Sequence, residues 1–125
     1  TLPDCKSASV ILPAGARGVA LIVFDNFHAI WRYNRSDAYV IGITHLADRL
    51  RGVGPFLADW PRDQPPLSRA DMRELQQLLT CAGFDTQGAD GFSGPNTLAA
   101  IRAYQRANGL TADGYGSRDL LLQLR

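Results

Sequence analysis

Two cysteines, two histidines and a single glutamate are all that this chain of 125 residues offers of the side chains most used for metal, redox and acid-base work. Cys5 and Cys81 fit neither the C-x-x-C spacing of a zinc site nor a dense disulfide framework. Two unlinked thiols, with Cys81 packed as a small hydrophobe, is the plainer reading, and a Cys5 to Cys81 bridge between the two halves of the chain is the alternative. His28 and His45 stand far apart with no carboxylate or cysteine at ligand spacing, so metal and triad roles lack support and no metal or cofactor is expected. A charge excess is also missing. The formal net charge is +1, with both signs interspersed, which leaves no basic stripe for nucleic acid or anionic lipid. No apolar run approaches the length of a membrane span, and no charged-then-apolar leader precedes a small-residue cleavage site. The chain opens at Thr1 without an initiator methionine, so a processed piece with its targeting information upstream is the expectation.

What is present is a globular composition, 46% hydrophobic, enough for one ordinary core or two small ones. Ser9 to Leu12 and Val19 to Phe24 are short apolar runs separated by "PAGARG", which predicts a β-hairpin. Helical periodicity follows. Phe27, Ile30 and Trp31 share one face, and Tyr39, Ile43, Leu46, Ala47 and Leu50 share another in the next segment, with Ser36 or Asp37 as its cap and Gly52 as its stop. Residues 1–52 therefore read as hairpin then helices. Across 53–66 the chain is rich in proline and glycine, which deny helix propagation and mark a linker, with Trp60 anchoring it against a domain.

From residue 67 the pattern is a small three-helix bundle. Ser68 with Asp71 forms a variant of the capping box ahead of Met72, Leu75, Leu78, Leu79 and Ala82, and Gly83 ends that helix. A second helix begins near Pro95 or Asn96, carries Leu98, Ile101, Tyr104 and Gln105, and ends at Asn108-Gly109. A third starts at Ser117 and buries Leu120, Leu121 and Leu124. The expected fold class is mainly α, an N-terminal β-hairpin plus helices followed by the bundle.

One turn is written twice, as "GADGFSGPNTLAAI" and "TADGYGSRDLLLQL". In each, Asp90 or Asp113 can close an Asx-turn, Gly91 or Gly114 supplies a positive φ, and Phe92 or Tyr115 can fold onto the bundle as the next helix starts. A calcium loop is disfavoured. With Gly91 in the EF-hand glycine position, Thr86, Gly88 and Thr97 fall where oxygen-rich ligands belong, and the Gly114 register supplies Gly109, Thr111 and Leu120.

With these motifs in place, residues 68 to 124 resemble the three-helix peptidoglycan-binding domain of bacterial cell-wall enzymes. The segment "VILPAGARGVALIVFDNFHAIWRYNRSDAYVIGITHLADRLRG" is similar to the last stretch of the catalytic domain of B-type membrane-bound lytic murein transglycosylases. The resemblance implies a remnant of an α+β transglycosylase domain, a partner that is the peptidoglycan glycan strand or stem peptide, and a place in the bacterial envelope, in the periplasm or at the outer membrane through an upstream anchor. It also implies cleavage of the MurNAc-GlcNAc bond to a 1,6-anhydro product by one Glu acting as acid and then base.

That Glu is absent from the matching positions. Glu74 lies in the first bundle helix, where a solvated carboxylate is expected, and the catalytic acid of the family belongs to an earlier helix. Asp25 and Asp37 have no sign of a desolvated setting. What carries over is a cleft motif, Tyr33, Asn34, Ser36 and Tyr39, beside the plainer reading in which Ser36 caps a helix and Tyr39 joins the core. Peptidoglycan contacts are expected at Phe92, Asn96, Thr97, Tyr104, Gln105 and Tyr115. A helical adaptor for protein or nucleic acid is the remaining reading; balanced charge from Gln64 onward gives it no field for phosphate.

Overall fold

The computed structural model describes residues 7–125, which fall into two compact units, one ending at Trp60 and the other spanning Pro61–Arg125. The architecture is mainly helical, with a two-stranded hairpin near the start. Cys5 lies outside the described residues, and Cys81 is exposed rather than packed.

In the first unit, β1 (Ala8–Ile11) pairs antiparallel with β2 (Leu21–Phe24), Val10 opposite Ile22 and Ile11 opposite Leu21. The turn between them is tied by Gly15 N–H donating to the Leu12 carbonyl at 3.1 Å. Helix α1 (Asp25–Tyr33) follows β2 directly, and α2 (Asp37–Leu50) starts where the Ser36 hydroxyl accepts a bond from the Tyr39 N–H. Their core is Val23, Phe27, Val40 and Ile41, with Ile11, Leu21, Ile30, Trp31 and Phe56 packed against it.

Helix α2 does not bury the stripe its periodicity suggested. Tyr39, Ile43, Leu46 and Leu50 are all exposed, and the helix instead enters the core through the adjoining Val40 and Ile41. Both faces are apolar, so a 3.6-residue period alone does not choose between them. The hairpin and α1 meet the Val40 face.

The proline-rich stretch divides between the units. The Phe56 ring stacks on His45, with centroids 4.0 Å apart and planes 16° from parallel, and Trp60 meets Phe56 edge-on at 5.8 Å. Beyond it, Gln64 Nε2 donates to Asp119 Oδ2 at 2.7 Å, and Leu67 packs on the second core. The division between the two units falls after Trp60.

The second unit is the three-helix bundle: α3 (Arg69–Cys81), α4 (Pro95–Ala107) and α5 (Arg118–Leu124). The capping box at Ser68 and Asp71 is complete, since Ser68 Oγ accepts from the Asp71 N–H while the Asp71 carboxylate accepts from the Ser68 N–H. Pro95 occupies the first turn of α4, where its missing N–H has no intrahelical role, and Ser117 Oγ accepts from the Leu120 N–H to cap α5. Leu75, Leu79, Ile101, Tyr104, Leu120 and Leu121 form the core, and Phe84 meets Tyr104 edge-on at 5.5 Å.

Candidate functional site

The duplicated Asp-Gly-aromatic turn is two copies of one device, and a buried glutamine is its hub. Gln76 of α3, 1% exposed, accepts from the Gly91 N–H at 2.8 Å, and its Nε2 lies within 3.1 Å of three acceptors: Asp90 Oδ1, the Phe92 carbonyl and Thr97 Oγ1. Gln105 of α4 repeats the arrangement, accepting from the Gly114 N–H at 2.9 Å and donating to Asp113 Oδ1 at 2.8 Å. Each aspartate also receives the N–H of its own aromatic, Phe92 or Tyr115, at 2.9 Å. Both are Asx-turns locked from inside by a carboxamide whose oxygen and nitrogen have partners.

Both turn glycines have positive φ, 80° at Gly91 and 75° at Gly114, and an arginine lies where a Cβ would be. At Gly91 that Cβ would come within 2.6 Å of both Arg69 Cγ and the Arg69 carbonyl oxygen; at Gly114 it would meet Arg102 Nε at 2.9 Å. Glycine is required twice over, by backbone angle and by the arginine packed above it. Asp90 is held below the ordinary carboxylate range, first by the Phe92 N–H, then by Gln76 and by the nearby Arg69 charge. In each aspartate Oδ1 is engaged by amides of the backbone and of the hub glutamine.

Of the six expected contact residues, the structure places Thr97, Tyr104 and Gln105 in the interior. Thr97 Oγ1 takes a bond from Gln76, Tyr104 belongs to the core and Gln105 is the second hub, so these three side chains serve the fold. Tyr115 is half-buried and Asn96 is exposed. Phe92 does not fold onto the bundle; it is 58% exposed, and the Arg69 guanidinium lies over its ring at 4.3 Å from the centroid. Gln76, Arg69 and Arg102 were not among the expected residues. The internal repeat could have pointed to the glutamines, but the hub precedes its aspartate by 14 residues in one copy and 8 in the other, so no fixed period exposes them.

In the first unit, Tyr33, Asn34, Ser36 and Tyr39 cluster at the end of α1 and the start of α2. Tyr33 is 85% exposed, Tyr39 is also exposed, and the Ser36 hydroxyl accepts the capping bond from Tyr39 N–H at 3.3 Å. Beside them Trp31 Nε1 donates to Asp37 Oδ1 at 2.9 Å, and Arg35 lies over the Trp31 ring. A cavity of about 380 Å³ adjoins α2, lined by Pro13, Asp37, Ala38, Ile41, Gly42 and Trp60.

Glu74 is engaged in a fork with Arg125. Arg125 Nε and Nη2 donate to its two oxygens at 3.0 and 2.9 Å, and these bonds hold its carboxyl below the usual glutamate range. General-acid work at neutral pH needs the opposite shift. Asp25 accepts from Ser7 and Asp37 from Trp31, both at exposed positions.

Comparison with known proteins agrees with this division. Residues 68–124 match the peptidoglycan binding domain family, and residues 2–48 match the transglycosylase SLT domain family. The chain has the organisation of the C-terminal portion of a B-type lytic murein transglycosylase, the end of a transglycosylase domain followed by a three-helix peptidoglycan-binding domain. Among solved structures it is similar to SltB3 from Pseudomonas aeruginosa in complex with NAG-anhNAM-pentapeptide, at 47% identity and a TM-score of 0.89 over 94% of this chain and 32% of that one. The complex of SltB3 with NAG-NAM-pentapeptide gives 46% identity and a TM-score of 0.91 over 99% of this chain and 34% of that one. The chain thus spans about a third of the length of the structures it matches. No curated protein matches it. Among the described residues, no helix is long and apolar enough to cross a membrane.

Proposed function

We propose that this chain binds peptidoglycan and keeps a lytic transglycosylase on its polymeric substrate, raising the local concentration of glycosidic bonds by tethering. The observation that carries the reading is the exposed Phe92, with Asn96 also exposed in the first turn of the helix that follows, on the unit that matches the peptidoglycan-binding family. The solved SltB3 complexes hold disaccharide-pentapeptide fragments, which supports a wall polymer as partner. On this reading the protein works in the bacterial envelope, on the periplasmic side. Purified chain should co-sediment with cell-wall sacculi at modest salt, and a chain left in the supernatant would refute the proposal.

Cleavage of the MurNAc-GlcNAc bond to the 1,6-anhydro product is assigned to a longer protein of this architecture. Supporting that division, the one glutamate here is ion-paired with Arg125 and pushed toward the ionised form. In the same proposal, Tyr33, Asn34, Ser36 and Tyr39 form one wall of the glycan cleft of that longer enzyme, amide and hydroxyl groups suiting an acetamido sugar. Incubation of sacculi with this chain alone should release no anhydro-muropeptides; their appearance would move the active acid into this chain.

A further inference from the structure

The two corners of the bundle invite comparison because they share a hub, an Asp-Gly step and an overlying arginine, and differ in what they present to solvent. At the second corner, Tyr115 and Arg102 are half-buried. At the first, Phe92 and Arg69 are both exposed, so the device that holds the chain does not by itself require this ring and guanidinium at the surface. Burying a phenylalanine is favourable, and with Phe92 58% exposed more than half of that gain is forgone.

The pair is held in a defined geometry. Arg69 Cζ lies 4.3 Å from the Phe92 centroid, and Arg69 Nε donates to the Asp90 carbonyl at 3.3 Å. Stacking and that bond orient the guanidinium plane, which lowers the cost of ordering it on binding. Among the described residues no acceptor engages its two terminal nitrogens, and that edge is the fork that takes a carboxylate through parallel N–H···O bonds. The Asp90 carboxylate is close enough for its charge to feel Arg69, but its Oδ1 accepts from the Phe92 N–H and lies 3.1 Å from Gln76 Nε2, and among the described residues it makes no ion pair with the guanidinium. The guanidinium covers one face of the Phe92 ring, so the charged edge and the aromatic are presented together.

We infer that Arg69 and Phe92 form a carboxylate-binding site, and that the part of peptidoglycan it grips is the peptide, through a free carboxylate, rather than the sugar. This rests on the peptidoglycan-binding reading above. The test is an amide-resolved NMR titration of the full chain with three probes: a synthetic stem pentapeptide with free carboxylates, its amidated form, and an uncharged GlcNAc oligomer. The acid should shift the Arg69 Nε–H and the Phe92 and Ser93 amides, and the amidated form should bind about 10- to 100-fold more weakly, the worth of a charged hydrogen bond. Arg69→Gln should lose the same factor. Arg69→Lys keeps the charge and an aliphatic stem over Gly91 but not the fork, and should also weaken the acid; Arg73→Gln, one turn along α3, should bind as the parent does.

Equal binding of acid and amide overturns the inference, as does a GlcNAc oligomer that moves these amides more strongly, or a folded Arg69→Gln that binds normally. Sacculus binding without any response to the peptide sinks this inference alone. Peptide binding by a chain that ignores sacculi sinks the wall-binding reading and leaves the carboxylate site.

Discussion

Gln76 and Gln105 are polar side chains committed to the interior, and each is tolerable there because its oxygen and nitrogen are both satisfied. Removing one strands the groups it served. Gln76→Leu leaves the buried Gly91 N–H and Thr97 hydroxyl without that partner and should destabilise the bundle by about 2–4 kcal/mol. Gln105→Leu, which breaks a smaller set of bonds, should lose less, and urea denaturation of both variants gives the order. At the turn itself, Gly91→Ala must bring a Cβ to 2.6 Å from a backbone carbonyl oxygen, whereas Gly83→Ala meets open space at a comparable positive φ. The first should therefore cost more than the left-handed penalty of about 1–2 kcal/mol that both share.

At the scale of elements, α2 and α3 show how a helix is both locally written and externally placed. The start of α3 is set by Ser68 and Asp71, and Asp71 is held below the usual aspartate range chiefly by the Ser68 hydroxyl and N–H; Glu74 is lowered by Arg125 and Asp90 by its turn. A carboxylate lowered in the folded state contributes fully above its unfolded value, about 4, because both states are then ionised. As pH falls below that value the unfolded chain takes up the proton first, and the contribution is gone once pH has passed through the folded value. The thermal midpoint of the bundle should therefore fall on acidification from pH 5 to pH 2, less steeply in an Asp71→Asn, Glu74→Gln double variant; identical slopes would remove these groups from the account. For α2, Val40→Ala should destabilise the first unit by about 2 kcal/mol, whereas Leu46→Gln on the exposed stripe should change stability little.

Over the whole molecule, two cores share no residue: Val23, Phe27, Val40 and Ile41 in one, Leu75, Leu79, Ile101, Tyr104, Leu120 and Leu121 in the other. Denaturation should then depart from a single two-state transition. Val40→Ala should move one step and Gln76→Leu the other, followed by Trp fluorescence for the first unit, which holds Trp31 and Trp60, and by far-UV circular dichroism for both. One transition shifted equally by either variant would contradict this.

What the sequence determined by itself is whatever a few neighbouring residues settle among themselves. The Ser36, Ser68 and Ser117 caps, the stops at Gly52 and Gly83, the hairpin turn and both Asx-turns depend on bonds reaching two to five residues along the chain, and those were legible. The family resemblance was legible too, because its motif is made of these same turns. Only the tertiary structure decided which apolar face of α2 meets the hairpin, that Thr97, Tyr104 and Gln105 turn inward, and that Phe92 stays out beneath Arg69. Those outcomes join residues of different elements, Gln76 to Gly91 or Val40 to the strands, and they are set by which surfaces remain unburied once helices and hairpin have met, a competition that no local spacing records.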